Sequence, residues 1–388
     1  MTVSWAQARI DAYAAAEALP PESVPLQDAV GRVLVRDLCA RIDVPHYASS
    51  AMDGWAVAGD GPWTLVADRL LRPGEATPIV TGGLVPAEAR AVLRSENGEV
   101  GDGILRRNQD AAPHEPTDGM HIRPAGEEAR AGERVFSAGD VLNPARIAVA
   151  AVCGYDELEV AGIVNARLVL TGDEVVTEGV PAPGYVRDSF GPQLPALLGM
   201  MGVRAHAVVH LPDRLPLLLE ALHETEDDAA RLLVTTGGTG HSDVDHLREA
   251  LHRLGADLIV DGIRMRPGSP SLLARLPGGR FVVGLPGNPL AAIMGALTLV
   301  RPLVAGLQGV PLPEPRRVRL ADDVHDGAGR TRLLPYVETV DGARPSDWRG
   351  AGMLRGLGDA DGVLVVPPAG VRRGEVVPTI PLPWKVGR

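Results

Sequence analysis

From Leu168 to about Gly309 the chain alternates short apolar runs with helical segments. RLVLTG precedes PQLPALLGMMGV, AHAVVHL precedes LPLLLEALHE, RLLVTTGG precedes HLREALHRLG, and FVVGLPG precedes NPLAAIMGALTLVRPLVAGL. A helix between successive strands lets the chain cross back over the sheet, so neighbouring strands can run parallel. The pattern therefore predicts an α/β domain with a mostly parallel sheet.

The flanks read differently. Ser4–Ala18 is predicted to be an amphipathic helix carrying Trp5, Ala8, Ile10 and Tyr13, and Val24–Leu38 gives a second helical hint before short strands up to Ile42. Val44–Gly139 has short apolar runs, among them Trp63–Val66 and Ala91–Leu93, separated by Gly and Pro, the pattern of a β-rich domain. Asn97–Gly119 is polar without period and is expected to be a mobile loop, and Ala145–Val152 is again helical. After Val310 short β-type runs return, such as Arg317–Leu320 and Gly362–Val366. The expected organisation is multidomain, α/β plus β-rich. It comprises a helical and linker domain from 1–43 and 140–167, a β-rich insert at 44–139, the central α/β domain at 168–309 and a C-terminal small β domain at 310–388. The 46 Gly and 34 Pro are scattered as turn residues, which excludes a collagen-like tract.

Several function classes are disfavoured. The net charge is −11, against a general nucleic-acid binder. The two cysteines, Cys39 and Cys153, sit in no CxxC or His-spaced pattern, against a disulfide framework or a zinc site. No GxSxG elbow is present, against an α/β-hydrolase. The N-terminus lacks the form of a signal peptide, and no transmembrane run is expected, so the reading is cytoplasmic, with no membrane partner.

Ligands of open α/β sheets bind at the carboxyl ends of the strands. Three loops fall there: Thr171-Gly172-Asp173-Glu174, Thr235-Thr236-Gly237-Gly238-Thr239-Gly240 and Gly284-Leu285-Pro286-Gly287-Asn288-Pro289. Each offers backbone N–H groups near a helix start, which suits an anion, although any one alone is more often a plain turn. None is a Walker loop. Asp173, Glu174, Asp188, Asp243 and Asp245 lie beside them. Carboxylates near a phosphate site imply Mg²⁺, while Asp188 with Ser189, Asp243 or Asp245 could simply cap helices. In the β-rich segment, Ser49-Ser50-Ala51-Met52-Asp53-Gly54-Trp55 concentrates small residues, hydroxyls and one carboxylate, although Asp-Gly could simply form a turn.

Together these motifs resemble the MoeA/gephyrin-E family of molybdopterin molybdenumtransferases. SSAMDGWAV, TGGLVP at Thr81–Pro86, TGDEV, TTGGTGHSDVD, RPGSP at Arg266–Pro270 and GLPGNP match that family's motifs in order over nearly the whole chain. The resemblance implies a four-domain subunit in a homodimer, with 1–43 and 140–167 as its dimerisation domain and a cleft that combines the α/β domain of one subunit with the β-rich domain of the other. Such proteins use Mg²⁺, adenylylated molybdopterin and molybdate, release AMP and form molybdenum cofactor. The upstream adenylyltransferase and recipient apo-molybdoenzymes are the partners so implied. Carried onto this chain, the resemblance makes Asp53, Glu128, Asp245 and Arg266 catalytic candidates. Glu174 and Asp245 would hold Mg²⁺. Ser50, Thr171, Gly172, Asp173, Asp188, Ser189, Asp213, Thr236, Gly237, Gly238, Thr239, Arg264, Ser269, Pro286, Gly287 and Asn288 would bind substrate.

The chain also departs from the family pattern. Lys385 is its only lysine. Arg266 and Ser269 occupy the family's two motif-lysine positions, and Arg264 is a nearby cation that could help. Glu128 stands where an aspartate is usual. Phe190 replaces the Asn after Asp188-Ser189, Gly240 replaces a serine, and Gly350–Gly356 lacks the usual serines. An arginine fork still suits a tetrahedral oxyanion. The alternative is a catalytically impaired relative that binds or carries the cofactor or scaffolds partners. The retained acidic residues favour the enzyme, and a nucleotide or pyrophosphate hydrolase ranks third because it leaves the SAMDG domain without a role.

Overall fold

The computed structural model describes residues 2–68, 70–112, 114–223, 230–240, 245–325 and 327–385. The chain divides into two compact units, Met1–Glu22 with Ala161–Arg388, and Ser23–Val160.

The first unit is built on a six-stranded sheet. Its order is Val203–Leu211, Val164–Thr171, Leu232–Thr236, Phe281–Leu285, Leu272–Arg275 and Asp257–Asp261. The first four strands are parallel, as the alternation predicts, and the last two join antiparallel. Those two are the strands the sequence reading omits. Pro277-Gly278-Gly279 turns the chain between Leu272–Arg275 and Phe281–Leu285, with the Leu276 N–H bonded to the Arg280 carbonyl.

Strand period puts alternate residues on opposite faces. Leu168, Leu170, Val234 and Val283 pack with helices Phe190–Met200 and Pro289–Leu307. Val169, Leu233 and Val282 pack with Leu215–Leu222 and Leu247–Arg253 on the other face. The Pro289–Leu307 helix is long and apolar enough to cross a bilayer by length and composition, contrary to the sequence reading, but 89% of that stretch is buried inside the fold. Its hydrogen bonding loosens to a π turn over Ala296–Val300, just before Pro302, which has no N–H to donate. The N-terminal helix is Trp5–Ala14, with the Ser4 hydroxyl accepting from the Gln7 N–H. It buries Trp5, Ala8 and Ala12 in this same α/β core, and the Trp5 indole donates to Thr298 Oγ1 at 3.2 Å. The sequence reading instead groups it with 140–167, and of the apolar positions named there Trp5 and Ala8 join this core whereas Ile10 stays exposed.

The C-terminal residues form a second sheet, ordered Met265–Arg266, Thr331–Thr339, Gly362–Val366, Val376–Pro381 and Arg316–Arg319, with Gly342–Pro345 on Thr331–Thr339. Its first strand is lent by the α/β segment.

The second unit holds a six-stranded sheet, Ala91–Arg94, Gly54–Ala58, Glu75–Ile79, Trp63–Leu65, Ile104–Arg107 and Gly98–Gly101. Trp63, Leu93 and Leu105 pack on it, and a separate core gathers around helix Pro144–Val152. Two expectations are corrected here. Val24–Leu38 contains a single 3₁₀ turn, Leu26–Asp28, because Pro25 holds the chain extended before it. Asn97–Gly119 is no featureless loop. Gly98–Gly101 and Ile104–Arg107 form a hairpin closed by Asp102 and Gly103, both with positive φ (49° and 76°). An Asp-Gly pair is the residue choice that such a two-residue turn requires. Further along, Glu115 is buried and ion-paired with Arg94.

Candidate functional site

All four parallel strands of the α/β sheet end at one rim, and a cavity of about 1000 Å³ opens there. The loops after Val164–Thr171, Leu232–Thr236 and Phe281–Leu285 all line it. The cavity thus brings together Thr171, Gly172, Asp173, Glu174, Asp188, Ser189, Asp213, Thr236, Gly237, Gly238, Thr239, Asp245, Pro286, Gly287 and Asn288, with Phe190 and His210 beside them.

The loops brace one another across the sheet. Thr171 Oγ1 donates to the Thr236 carbonyl at 3.1 Å, and the Gly237 N–H donates to the Leu285 carbonyl at 3.1 Å. Gly237 has φ of +82°, and a Cβ there would lie 2.8 Å from Thr171 Oγ1, so this turn needs glycine for conformation and for space. Asp173 and Asp213 cap each other: each backbone N–H reaches the other's carboxylate at 3.3 Å, and Arg214 Nη1 bonds Asp173 at 3.2 Å.

Asp188 is 8% exposed and acts as the cap. Its Oδ1 accepts from the Phe190 N–H at 2.8 Å and the Gly191 N–H at 3.0 Å, and His210 Nε2 lies 2.9 Å from Oδ2. Burial opposes its ionisation, but the Gly191 N–H, His210 and the Phe190 N–H outweigh it and hold the carboxyl below its ordinary range. Ser189 makes no side-chain cap bond. At the start of Leu247–Arg253 the N-cap position is His246, which makes no side-chain cap bond. Asp243 lies outside the described residues. Asp245 faces Gly240 closely: a Cβ at 240 would fall 2.5 Å from Asp245 Oδ2.

A second cavity, of about 630 Å³, shares Pro270, Pro286 and Asn288 with the first. Arg266, Arg330, Arg332 and Arg349 line it, together with Ser269, and among the described residues no acidic side chain does. Met265–Arg266 leaves the α/β fold and pairs in parallel with Thr331–Thr339, which sets Arg266 opposite Arg332. Burial, then Arg349 and Arg266, lower the Arg332 pKa from its ordinary value. Sequence reasoning missed Arg330, Arg332 and Arg349; only Arg332 lies in a strand, Thr331–Thr339, and no motif marks the three.

Arg264 lines neither cavity. It is exposed and donates to the Thr2 carbonyl at 3.2 Å, so the expected help to Arg266 is not observed. The missing serines also have a structural counterpart. Gly350, Ala351 and Gly352 line the two cavities, whereas a Cβ at Gly356 would lie 2.2 Å from Ser346 Oγ.

Ser50, Asp53 and Glu128 belong to the Ser23–Val160 unit. Ser50 is buried, and its hydroxyl donates to the Met52 carbonyl at 2.6 Å, so it shapes the loop and is not free as a substrate donor. Asp53 Oδ1 accepts from the Thr81 N–H at 2.6 Å and from Thr81 Oγ1 at 2.8 Å, which together hold its carboxyl below the ordinary range. Glu128 is exposed. Among the described residues no group of three or more His, Cys, Asp or Glu is placed to hold a metal ion.

A doubly wound α/β layer with anion-suited loops on its carboxyl rim, beside an arginine-lined cavity, defines a binding protein for anionic small molecules. Comparison with known proteins narrows this. Residues 1–154 match the MoeA N-terminal region (domain I and II), 167–306 match a domain described as "Probable molybdopterin binding domain", and 317–382 match the MoeA C-terminal region (domain IV). A molybdopterin molybdenumtransferase from Synechococcus elongatus is 30% identical over 341 residues, 81% of this chain and 83% of its own. One from Staphylococcus aureus is 27% identical over 93% of this chain and 91% of its own. In structure, the molybdopterin biosynthesis moeA protein from Pyrococcus horikoshii superposes with a TM-score of 0.76 at 24% identity, covering 98% and 99% of the two chains, and so shares the fold. The chain belongs to the MoeA family.

Proposed function

We propose that this protein transfers molybdenum from molybdate to adenylylated molybdopterin, with release of AMP, in molybdenum cofactor biosynthesis. The observation that carries the reading is the adjacency of two cavities of complementary chemistry. One is walled by glycine turns and suits a phosphorylated pterin. The other is walled by four arginines and suits a tetrahedral oxyanion. Their shared wall, Pro270, Pro286 and Asn288, would keep the two substrates side by side.

Within this reading Thr236, Gly237, Gly238 and Thr239 hold the phosphate end of the substrate, and Arg266 with Arg332 orients the oxyanion. Glu174 and Asp245 both line the first cavity, which fits Mg²⁺, an ion commonly bound by one or two carboxylates plus substrate phosphates. When bound there it would neutralise charge on the pyrophosphate. A homodimer in which Asp53 and Glu128 of one subunit complete the partner's cleft is part of the proposal and rests on the family resemblance. So are a cytoplasmic location and the upstream adenylyltransferase and apo-molybdoenzymes as partners.

The test is turnover of purified protein with adenylylated molybdopterin, molybdate and Mg²⁺, following AMP and cofactor together. AMP release that depends on molybdate supports the transferase; tight binding without release supports the carrier. The carrier reading is favoured by one observation: Phe190 and Gly240 bring no polar side chain to the cavity they line. A monomer in sedimentation at micromolar concentration would remove the shared cleft.

A further inference from the structure

The Arg248–Asp261 ion pair lines neither cavity. Arg248, on helix Leu247–Arg253, sits behind the Gly237–Gly240 turn. Its Nη1 donates to the carbonyls of Thr239 at 2.6 Å and Gly240 at 2.8 Å, and its Nε donates to Asp261 Oδ1 at 2.8 Å. The Arg248 side chain is 19% exposed, and the pair is therefore screened less than a surface pair such as Arg253–Glu249 on the same helix. Three acceptors on one guanidinium need its planar fork, which a lysine lacks.

The geometry has a consequence at each end. In a trans peptide the N–H points opposite to the C=O. Holding the Thr239 carbonyl therefore turns the Gly240 N–H away from Arg248, and Gly240 lines the first cavity while Arg248 does not. Asp261 is the last residue of its strand, and five residues on the chain places Arg266 in the second cavity.

We propose that Arg248 and Asp261 form a positioning strut that fixes the anion-holding turn of the first cavity relative to the Arg266 segment of the second. Both act through other residues and touch no substrate. The functional half of this inference rests on the transferase reading above; the structural half does not.

The test is a double-mutant cycle on the full chain, using Arg248→Met, Asp261→Asn and the pair, with Arg248→Lys as the milder variant. Amide hydrogen exchange over Thr236–Gly240 is read without ligand, and KM and kcat are read with adenylylated molybdopterin and molybdate. Arg248→Met is expected to speed local exchange and raise KM for adenylylated molybdopterin, each by about tenfold, with Asp261→Asn raising KM for molybdate by about fivefold. Arg248→Lys should recover part of both effects, and the paired variant should be no worse than the worse single one. Unchanged exchange in a folded Arg248→Met, or effects that simply multiply in the paired variant, would overturn the strut. Wild-type protein that fails to turn over would sink the transferase reading, while the exchange result still decides the strut.

Discussion

Arg266 stands in register with Arg332 across two parallel strands, although 65 residues separate them in the chain. The guanidinium groups share a cavity in which no described lining residue carries a carboxylate, so a bound oxyanion would relieve the repulsion that their clustering imposes. Arg266→Ala is expected to weaken molybdate binding by about 10- to 100-fold, the equivalent of about 1.4–2.8 kcal/mol for a charge-assisted contact. Titration calorimetry checks this, and an unchanged affinity would remove Arg266 from the oxyanion site.

Asp188 ties the start of helix Phe190–Met200 to the edge strand that carries His210. Asp188→Ala should cost about 1–2 kcal/mol in denaturant unfolding, as loss of a cap does. The carboxyl is held below its unfolded value, so its contribution is present above the ordinary carboxylate range and is lost as pH falls through the lower folded pKa. The stability gap between wild type and variant should therefore be constant near neutrality and close below about pH 4. A gap that widens in acid would contradict the assignment.

Two glycines of that same helix should respond in opposite directions to alanine. A Cβ on Gly191 would fall 2.3 Å from Asp188 Oδ2, so Gly191→Ala must displace the cap and is expected to cost about 1–3 kcal/mol. Gly199 has nothing within 4 Å of its Cβ position, and Gly199→Ala should stabilise by about 0.4–1 kcal/mol. Thermal melts of the two variants distinguish a space requirement from a plain helix effect.

In the second unit, Thr81 sets the state of Asp53 through its N–H and its hydroxyl. The Asp53 carboxyl titrates below its ordinary value, so the loop order it provides is retained above that range and lost only as pH falls through the lower value. Thr81→Val removes one of the two donors. The expected result is an upward move of the Asp53 titration midpoint, read from the residue 81 amide resonance, together with lower turnover and a small drop in melting temperature at neutral pH. A stationary midpoint would show that the hydroxyl is irrelevant to Asp53.

Much of the α/β domain was legible because its elements announce themselves locally. RLVL, RLLV and FVV are apolar enough for both faces of a sheet, and each is followed by a turn and a helix of crossing length. The loops at Thr171, Thr236 and Pro286 followed from that order, since parallel strands end at one rim. The hairpin at Asp102-Gly103 was also encoded locally, but the polarity of its surroundings masked it. The antiparallel strands Leu272–Arg275 and Asp257–Asp261 were missed between stronger helix and strand signals.

What the sequence alone determined, then, is the local chemistry: the strand and helix periods, the glycine turns, and arginine in place of lysine. Tertiary structure decided which of those residues meet. Met265–Arg266 is too short to show a period, and only its pairing with Thr331–Thr339 brings Arg266 to Arg332. Arg264, two residues earlier, is drawn instead to the Thr2 carbonyl. Arg248 has no motif at all; its role arises because a folded helix aims one guanidinium at two loop carbonyls and Asp261. Such meetings depend on packing between segments distant in sequence, which local periodicity does not encode.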